Sequence, residues 1–128
     1  MDLFKLDDDH SRRIVAEGLL EISRVIRKGH VDLDHAAISC VMALARINER
    51  PVDVSELAKL SGVPRPTVIR KVRAWQEKGM VETHKVKGRT YVMPSRSGAT
   101  APNSNWLWAS YEKVFRQVAV ELSRMDSV

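Results

Sequence analysis

A mainly helical fold carrying one small β-hairpin is what this sequence predicts, on three observations. Apolar residues recur at helical spacing in the first and last thirds of the 128-residue chain. Between them, Val54-Ser55-Glu56-Leu57-Ala58 and Val63-Pro64-Arg65-Pro66-Thr67-Val68 read as two short helices joined at Gly62. Two β-prone runs then flank Val86-Lys87-Gly88, as strands flank a tight turn.

The elements follow in order. Asp7, Asp8 and Asp9 are expected to cap a helix over residues 10–28, with Ile14, Leu19, Ile22, Val25 and Ile26 along its apolar face. Arg27, Lys28 and Gly29 suit its end. After a short loop Asp34 is expected to cap a second helix over 35–48, which repeats Ala37, Val41, Leu44 and Ile47 on one face. Pro51 stops that helix, and residues 51–53 suit a brief edge strand. Asp53 and Glu56 have the spacing of a capping box, opening a helix over 54–61 that buries Leu57, Ala58 and Leu60. Gly62 permits the sharp turn, and Val63 packs beneath it. Pro64 or Pro66 fits the first turn of the next helix, where a missing N–H costs nothing. That helix runs to about Lys78 and closes at Gly79, with Val68, Val72 and Trp75 facing inward and Pro66, Arg70 and Arg73 on another face. The hairpin occupies 81–93, and Pro94 ends its second strand. Residues 95–104 form a connector rich in Ser, Gly, Ala, Pro and Asn. Asn103, Ser104 or Asn105 caps a last helix with the stripe Leu107, Tyr111, Val114, Val118, Leu122 and Met125, and Trp108 and Phe115 beside it. The order defines a winged helix-turn-helix flanked by N- and C-terminal helices. We read residues 1–128 as a single domain in which 10–48 and 104–125 provide dimerisation and support and 53–94 the DNA-binding core and wing.

Charge sharpens that reading. Of a net +5, the stretch from Pro64 to Arg89 holds eight cations against two anions, while the rest of the chain has 13 against 14. The positive excess therefore sits on the second helix of the pair and the wing, as a phosphate-facing surface requires. A basic solvated face is the rival reading of charge alone; the element order favours nucleic acid. Double-stranded DNA is the expected partner, with Arg65, Pro66, Thr67, Ile69, Arg70, Lys71, Arg73, Lys87 and Arg89 as candidate contacts. Arg65, Thr67 and Arg70 are assigned to base edges, Lys71, Lys87 and Arg89 to phosphates. No exposed aromatic stacking platform is apparent on the basic segment, which makes RNA the less expected partner.

Other classes fall away. The one cysteine, Cys40, permits no intrachain disulfide, and with no cation adjacent in sequence it reads as a small buried filler rather than a redox sensor. His10, His30, His35 and His84 lack metal-ligand spacing. No Gly-rich phosphate loop, nucleophile elbow or acid/base pair is visible, so no catalytic residue, cofactor or metal is assigned. No apolar run reaches the roughly 18–20 residues of a membrane span, and the acidic start is unlike a secretory signal, so a soluble cytoplasmic protein is expected.

The run from Leu33 to Ser95 resembles the multiple-antibiotic-resistance regulator (MarR) family of winged-helix transcription factors. The resemblance rests on Val54-Ser55-Glu56-Leu57-Ala58, on Val63-Pro64-Arg65-Pro66-Thr67-Val68 and on Glu77-Lys78-Gly79-Met80-Val81. It implies homodimers built from terminal helices that bind near-palindromic operators, often to repress transcription. It also implies, for some members, release of DNA on binding small aromatic effectors, for which Trp106, Trp108 and Tyr111 are the candidate residues here. The chain departs from the family where Pro64 and Pro66 replace Ser, where Lys87-Gly88-Arg89 stands for an Asp-x-Arg wing tip, and in having one long C-terminal helix where many members have two. The alternative function is a winged-helix interaction or architectural module, a phage or plasmid accessory factor included, with weak non-specific nucleic-acid binding.

Overall fold

The computed structural model describes residues 3–95 and 104–126, with side chains from residue 9 onward. Its elements are α1 (Leu3–Lys28), α2 (Leu33–Ile47), β1 (Val52–Asp53), α3 (Val54–Ser61), α4 (Arg65–Glu77), β2 (Val81–Val86), β3 (Arg89–Pro94) and α5 (Ser104–Asp126). They cluster into two compact units, α1 with α5 and the elements from α2 to β3. Thus α2, which the sequence groups with α1 as a support helix, belongs to the helix-turn-helix unit.

In the first unit α1 and α5 run antiparallel, because Gly18 lies against Val118 and Gly29 against Leu107. Ile14, Ile26 and Leu107 are buried along the seam, and Tyr111, Val114, Val118, Leu122 and Met125 continue it half-buried, as their spacing predicts. Two expectations are corrected here, and a third rests on a residue outside the described ones. The helix begins at Leu3, so Asp7, Asp8 and Asp9 lie within it rather than capping it; no Pro or Gly stands between Leu3 and Asp9 to stop extension. Leu19 is 66% exposed, off the seam that Ile14, Gly18, Ile22 and Val25 define. Ser104 and Asn105 fall inside α5, and Asn103 and most of the connector lie outside the described residues.

The second unit is built on Ile38, Leu57 and Val68, all at 0% exposure, joined by Val52, Val54, Val63, Val72, Trp75, Val81 and Val92. Each helix contributes one face, and the three-stranded antiparallel sheet, in the order β1-β3-β2, closes the core. Val52 pairs with Val92 at the edge, and Val92 in turn with Thr83, so one register aligns both ladders. The wing turns through two residues, not three: Lys87 (φ 51) and Gly88 (φ 78) both take positive φ, as a type I′ hairpin turn demands, and Val86 is already paired with Arg89.

Local chemistry sets the helix ends. Asp53 accepts the Glu56 N–H at 2.8 Å and Glu56 accepts the Asp53 N–H at 3.4 Å, the reciprocal capping box foreseen. The Ser61 hydroxyl donates to the Leu57 carbonyl at 2.5 Å and accepts the Val63 N–H at 3.2 Å, bridging the turn at Gly62 (φ 75). Gly79 (φ 74) closes α4, with the Met80 N–H returning to the Trp75 carbonyl at 2.9 Å. The cap of α2 is Asp32, not Asp34. Its extended backbone lets Oδ1 accept the His35 N–H at 2.7 Å, which leaves Asp34 inside the first turn. Leu44, Ile47 and Leu60 are exposed, and so is Cys40, contrary to the faces first assigned. The helix α2 is apolar around most of its circumference, so spacing alone does not choose its inner face. That face is Ile38, with Ala37, Val41, Met42 and Ala45 packed around the core.

Candidate nucleic-acid interface

With Val68, Val72 and Trp75 buried, the rotation of α4 is set and its remaining residues fall on three surfaces. Pro66, Arg70, Arg73 and Glu77, spaced at three and four residues, form its exposed outer ridge. Arg65, Ile69, Arg73 and Gln76 face the wing, and Thr67, Lys71 and Lys78 lie on the remaining flank.

The wing side of α4 is one wall of a cleft of about 660 Å³. The start of α3 supplies a second wall through Ser55, Glu56 and Lys59, and the hairpin a third through Thr83, Lys85, Gly88, Arg89 and Thr90. Gln76 Nε2 donates to Thr83 Oγ1 at 3.1 Å, tying β2 to α4 across the floor. Five cations line the cleft: Lys59, Arg65, Arg73, Lys85 and Arg89. Its two carboxylates, Asp53 and Glu56, are those of the capping box, each accepting a backbone N–H. Five cations thus outnumber two carboxylates that are tied to the α3 cap, a positive excess that attracts a polyanion.

The expected contact residues distribute unevenly over this surface. Arg65, Ile69, Arg73 and Arg89 meet at the cleft, while Arg70 and Pro66 stand on the outer ridge and Lys87 is exposed at the wing tip. Ile69 is half-buried and packs against the core, so it is a wall of the cleft rather than a free contact. Thr67 is half-buried, its N–H directed to the Pro64 carbonyl at 3.0 Å. Lys71, expected at a phosphate, is engaged within the fold. Its ammonium lies 2.8 Å from Asp32 Oδ2, and only 17% of its side chain is exposed. That hydrogen bond holds the Asp32 carboxyl below its usual pKa. Lys59 and Lys85 were missed as site residues. Lys85 was counted in the basic segment, and Lys59 sits one turn after exposed Ser55 on α3, a spacing that marks a shared face.

On α5, Trp108 and Tyr111 meet edge to face with ring centroids 5.8 Å apart, and Trp106 and Trp108 are each 42% exposed. Cys40 is exposed, yet partial burial pushes its thiol pKa up, which disfavours the reactive thiolate. Among the described residues no group of three His, Cys, Asp or Glu side chains is placed to hold a metal, and no helix is long and apolar enough to cross a membrane.

The sequence matches no protein-family model and no curated protein. Solved structures do resemble it. A MarR-family transcriptional regulator from Silicibacter pomeroyi is 13% identical with a TM-score of 0.54, over 88% of this chain and 69% of that one. A mutant of MepR from S. aureus, bound to an oligodeoxyribonucleotide, is 14% identical with a TM-score of 0.58, over 88% and 78%. NadR in complex with 4-hydroxyphenylacetate is 12% identical with a TM-score of 0.55, over 99% and 81%. At these identities the likeness is one of fold: the chain has the winged-helix fold of MarR-family regulators.

Proposed function

We propose that the protein is a MarR-like transcriptional regulator that binds double-stranded DNA sequence-specifically as a homodimer, and that it represses from a near-palindromic operator. The observation that carries this is the cleft between α4 and the wing, with five cations on its walls and both of its carboxylates engaged in capping α3. A helix with an exposed Arg-bearing ridge enters a major groove, and a basic hairpin beside it reaches the adjacent phosphates and minor groove. The fold is shared with a MepR mutant bound to an oligodeoxyribonucleotide, which supports the same use here. Dimerisation is supported by apolar side chains that α1 and α5 leave exposed, among them Leu19, Leu20, Phe115 and Val120. Two α4 helices in such a dimer read half-sites about 10 base pairs apart. NadR, of the same fold, is seen with 4-hydroxyphenylacetate, and we extend to this chain a small aromatic effector with Trp106, Trp108 and Tyr111 as candidate contacts. We assign no catalytic role.

Arg70 on the outer ridge is assigned to a base edge and Arg89 at the wing to phosphate. Selecting duplexes from a random library and titrating variants against selected and random DNA tests this. Arg70→Ala is expected to cost about 1–3 kcal/mol on the selected site and much less on random duplex, whereas Arg89→Ala weakens both alike. Equal losses on both duplexes for Arg70→Ala refute its assignment, and failure to select any duplex refutes the function.

A further inference from the structure

The flank of α4 turned away from the wing carries contacts that the basic cleft does not use. Asp32 receives two donors at once, the His35 N–H on Oδ1 at 2.7 Å and the Lys71 ammonium on Oδ2 at 2.8 Å. Three residues later in chain order, the His35 ring meets Trp75 of α4 edge to face, with centroids 5.0 Å apart and planes at 81°. Lys71, Trp75 and Lys78 are spaced four and three apart, so they share one stripe of α4. Trp75 belongs to the core and is only 7% exposed, so its indole is held in place by packing. The first turn of α2 thus grips α4 by an ion pair and by an aromatic contact, and both grips start from residues within one helical turn.

We infer that Asp32 and His35 are positioning residues for α4, and that protonation of His35 loosens this grip and weakens DNA binding. The inference rests on the reading of α4 as the helix that enters DNA. Neutral His35 brings no charge to a site that already holds Lys71 and Lys78. Once protonated it is a third cation, with the single Asp32 carboxylate to answer all of them. Burial first, then Lys71 and Lys78, outweigh the pull of Asp32, and the His35 pKa lies below its ordinary value of 6.5.

The sign follows from linkage. A histidine whose folded pKa is depressed binds fewer protons when gripped than when released. The grip is therefore complete above pH 6.5 and is lost as pH falls from there through the folded value. Asp32, held low by Lys71, stays ionised across that window, so His35 is the member of the cluster that titrates in it. The direction is unusual for a DNA-binding surface. A positive charge gained at a phosphate-facing surface tightens binding, whereas the charge gained by His35 weakens it.

The test measures binding of a duplex selected by the protein at pH 8, at constant ionic strength from pH 8 to 5.5, alongside NMR titration of the His35 ring. Affinity is expected to fall about threefold or more across the acid half of that range, and by no more than about tenfold per pH unit per protomer. His35→Phe keeps an aromatic edge for Trp75 and cannot titrate, so its profile is flat; His35→Gln, also uncharged throughout, repeats the measurement with a smaller side chain. Asp32→Asn retains a capping oxygen but loses the ion pair. It is expected to lower the ratio of selected to random binding at pH 8 by about threefold, a loss of roughly 0.65 kcal/mol, and to shift the His35 titration further down. A His35 ring that titrates at or above 6.5, or a profile shared with His35→Phe, overturns the inference while leaving DNA binding intact. A protein that selects no duplex at pH 8 refutes the DNA reading, and this inference falls with it.

Discussion

Arg89→Ala and Lys71→Met each delete one cation from the basic segment, yet the structure assigns them different consequences for the salt dependence of DNA binding. Arg89 is exposed at the start of β3 and lines the cleft with Lys59, Arg65, Arg73 and Lys85. Lys71 is on the opposite flank of α4, 17% exposed, with its ammonium on Asp32. Each phosphate neutralised contributes about 0.9 to the slope of log affinity against log salt. Two copies of Arg89 in a dimer thus account for about 1.8 of the slope, and all five cleft cations of both protomers for about 9 at most. Over a fourfold rise in salt one contact changes affinity about 3.5-fold, so the gap between wild type and Arg89→Ala should narrow about 12-fold between roughly 50 and 200 mM salt. Lys71→Met should leave the slope within about 0.3 of wild type, since its charge is already answered within the fold. Fluorescence anisotropy with a labelled duplex over that range reads both slopes. A Lys71→Met slope that drops as far as that of Arg89→Ala refutes the assignment of Lys71 to Asp32 in the complex. An unchanged Arg89→Ala slope removes the wing from the phosphate contacts.

Gly18 faces Val118 so closely that an added Cβ would lie 2.6 Å from its Cγ2, and a β-branched side chain has little freedom to swing aside. Gly18→Ala gains about 1 kcal/mol of helix propensity but meets an overpacking cost of about 1–3 kcal/mol, so a lower Tm is expected, and a lower one still for Gly18→Leu; a raised Tm for Gly18→Ala would show that α1 and α5 stand further apart. Sedimentation at tens of micromolar is expected to give a dimer, which Phe115→Glu on the exposed face of α5 should weaken; monomer alone, with and without DNA, refutes the homodimer.

Where sequence rules are local, they located the structure well. The bounds of α3, the capping box of Asp53 and Glu56, the left-handed Gly62 and Gly79, and the inward stripe of Val68, Val72 and Trp75 each depend on residues within about two helical turns. Faces were harder to assign. On α2 the apolar residues nearly encircle the helix, and the choice between Ile38 and Leu44 as the inward residue depends on where α3 packs. The same limit placed Leu60 and Cys40 inside. Asp34 is the cap that the sequence suggests for α2, and the one used, Asp32, is the one whose second oxygen meets Lys71. That pairing spans 39 positions of sequence, so no window on α4 reveals it. Lys59 and Lys85 entered the site for a related reason: the wing folds back toward the start of α3, which neither local segment specifies.

The start of α4 explains why side chains, rather than the helix terminus, must carry attraction for phosphate. A free helix N-terminus offers several N–H groups to an anion. Here Pro64 stands at the cap with no side-chain bond, and Pro66 in the first turn has no N–H to give. The Thr67 and Val68 N–H groups both go to the Pro64 carbonyl, at 3.0 and 3.1 Å. Arg65 is then the one residue of that turn whose N–H the helix does not itself use. What the prolines provide instead is stiffness, since each fixed φ removes freedom from the unfolded chain and contributes about 0.4–1 kcal/mol where the native backbone suits it. A stiff start holds Arg65 toward the wing and Arg70 on the ridge in a fixed relation, which favours discrimination between bases. In the proposed complex, affinity for the backbone is left to Lys59, Arg73, Lys85 and Arg89. Under the proposed function such a surface divides two tasks among its side chains, with bases read by Arg70 on the ridge and Arg65 at the helix start, and phosphates held by the other cleft cations.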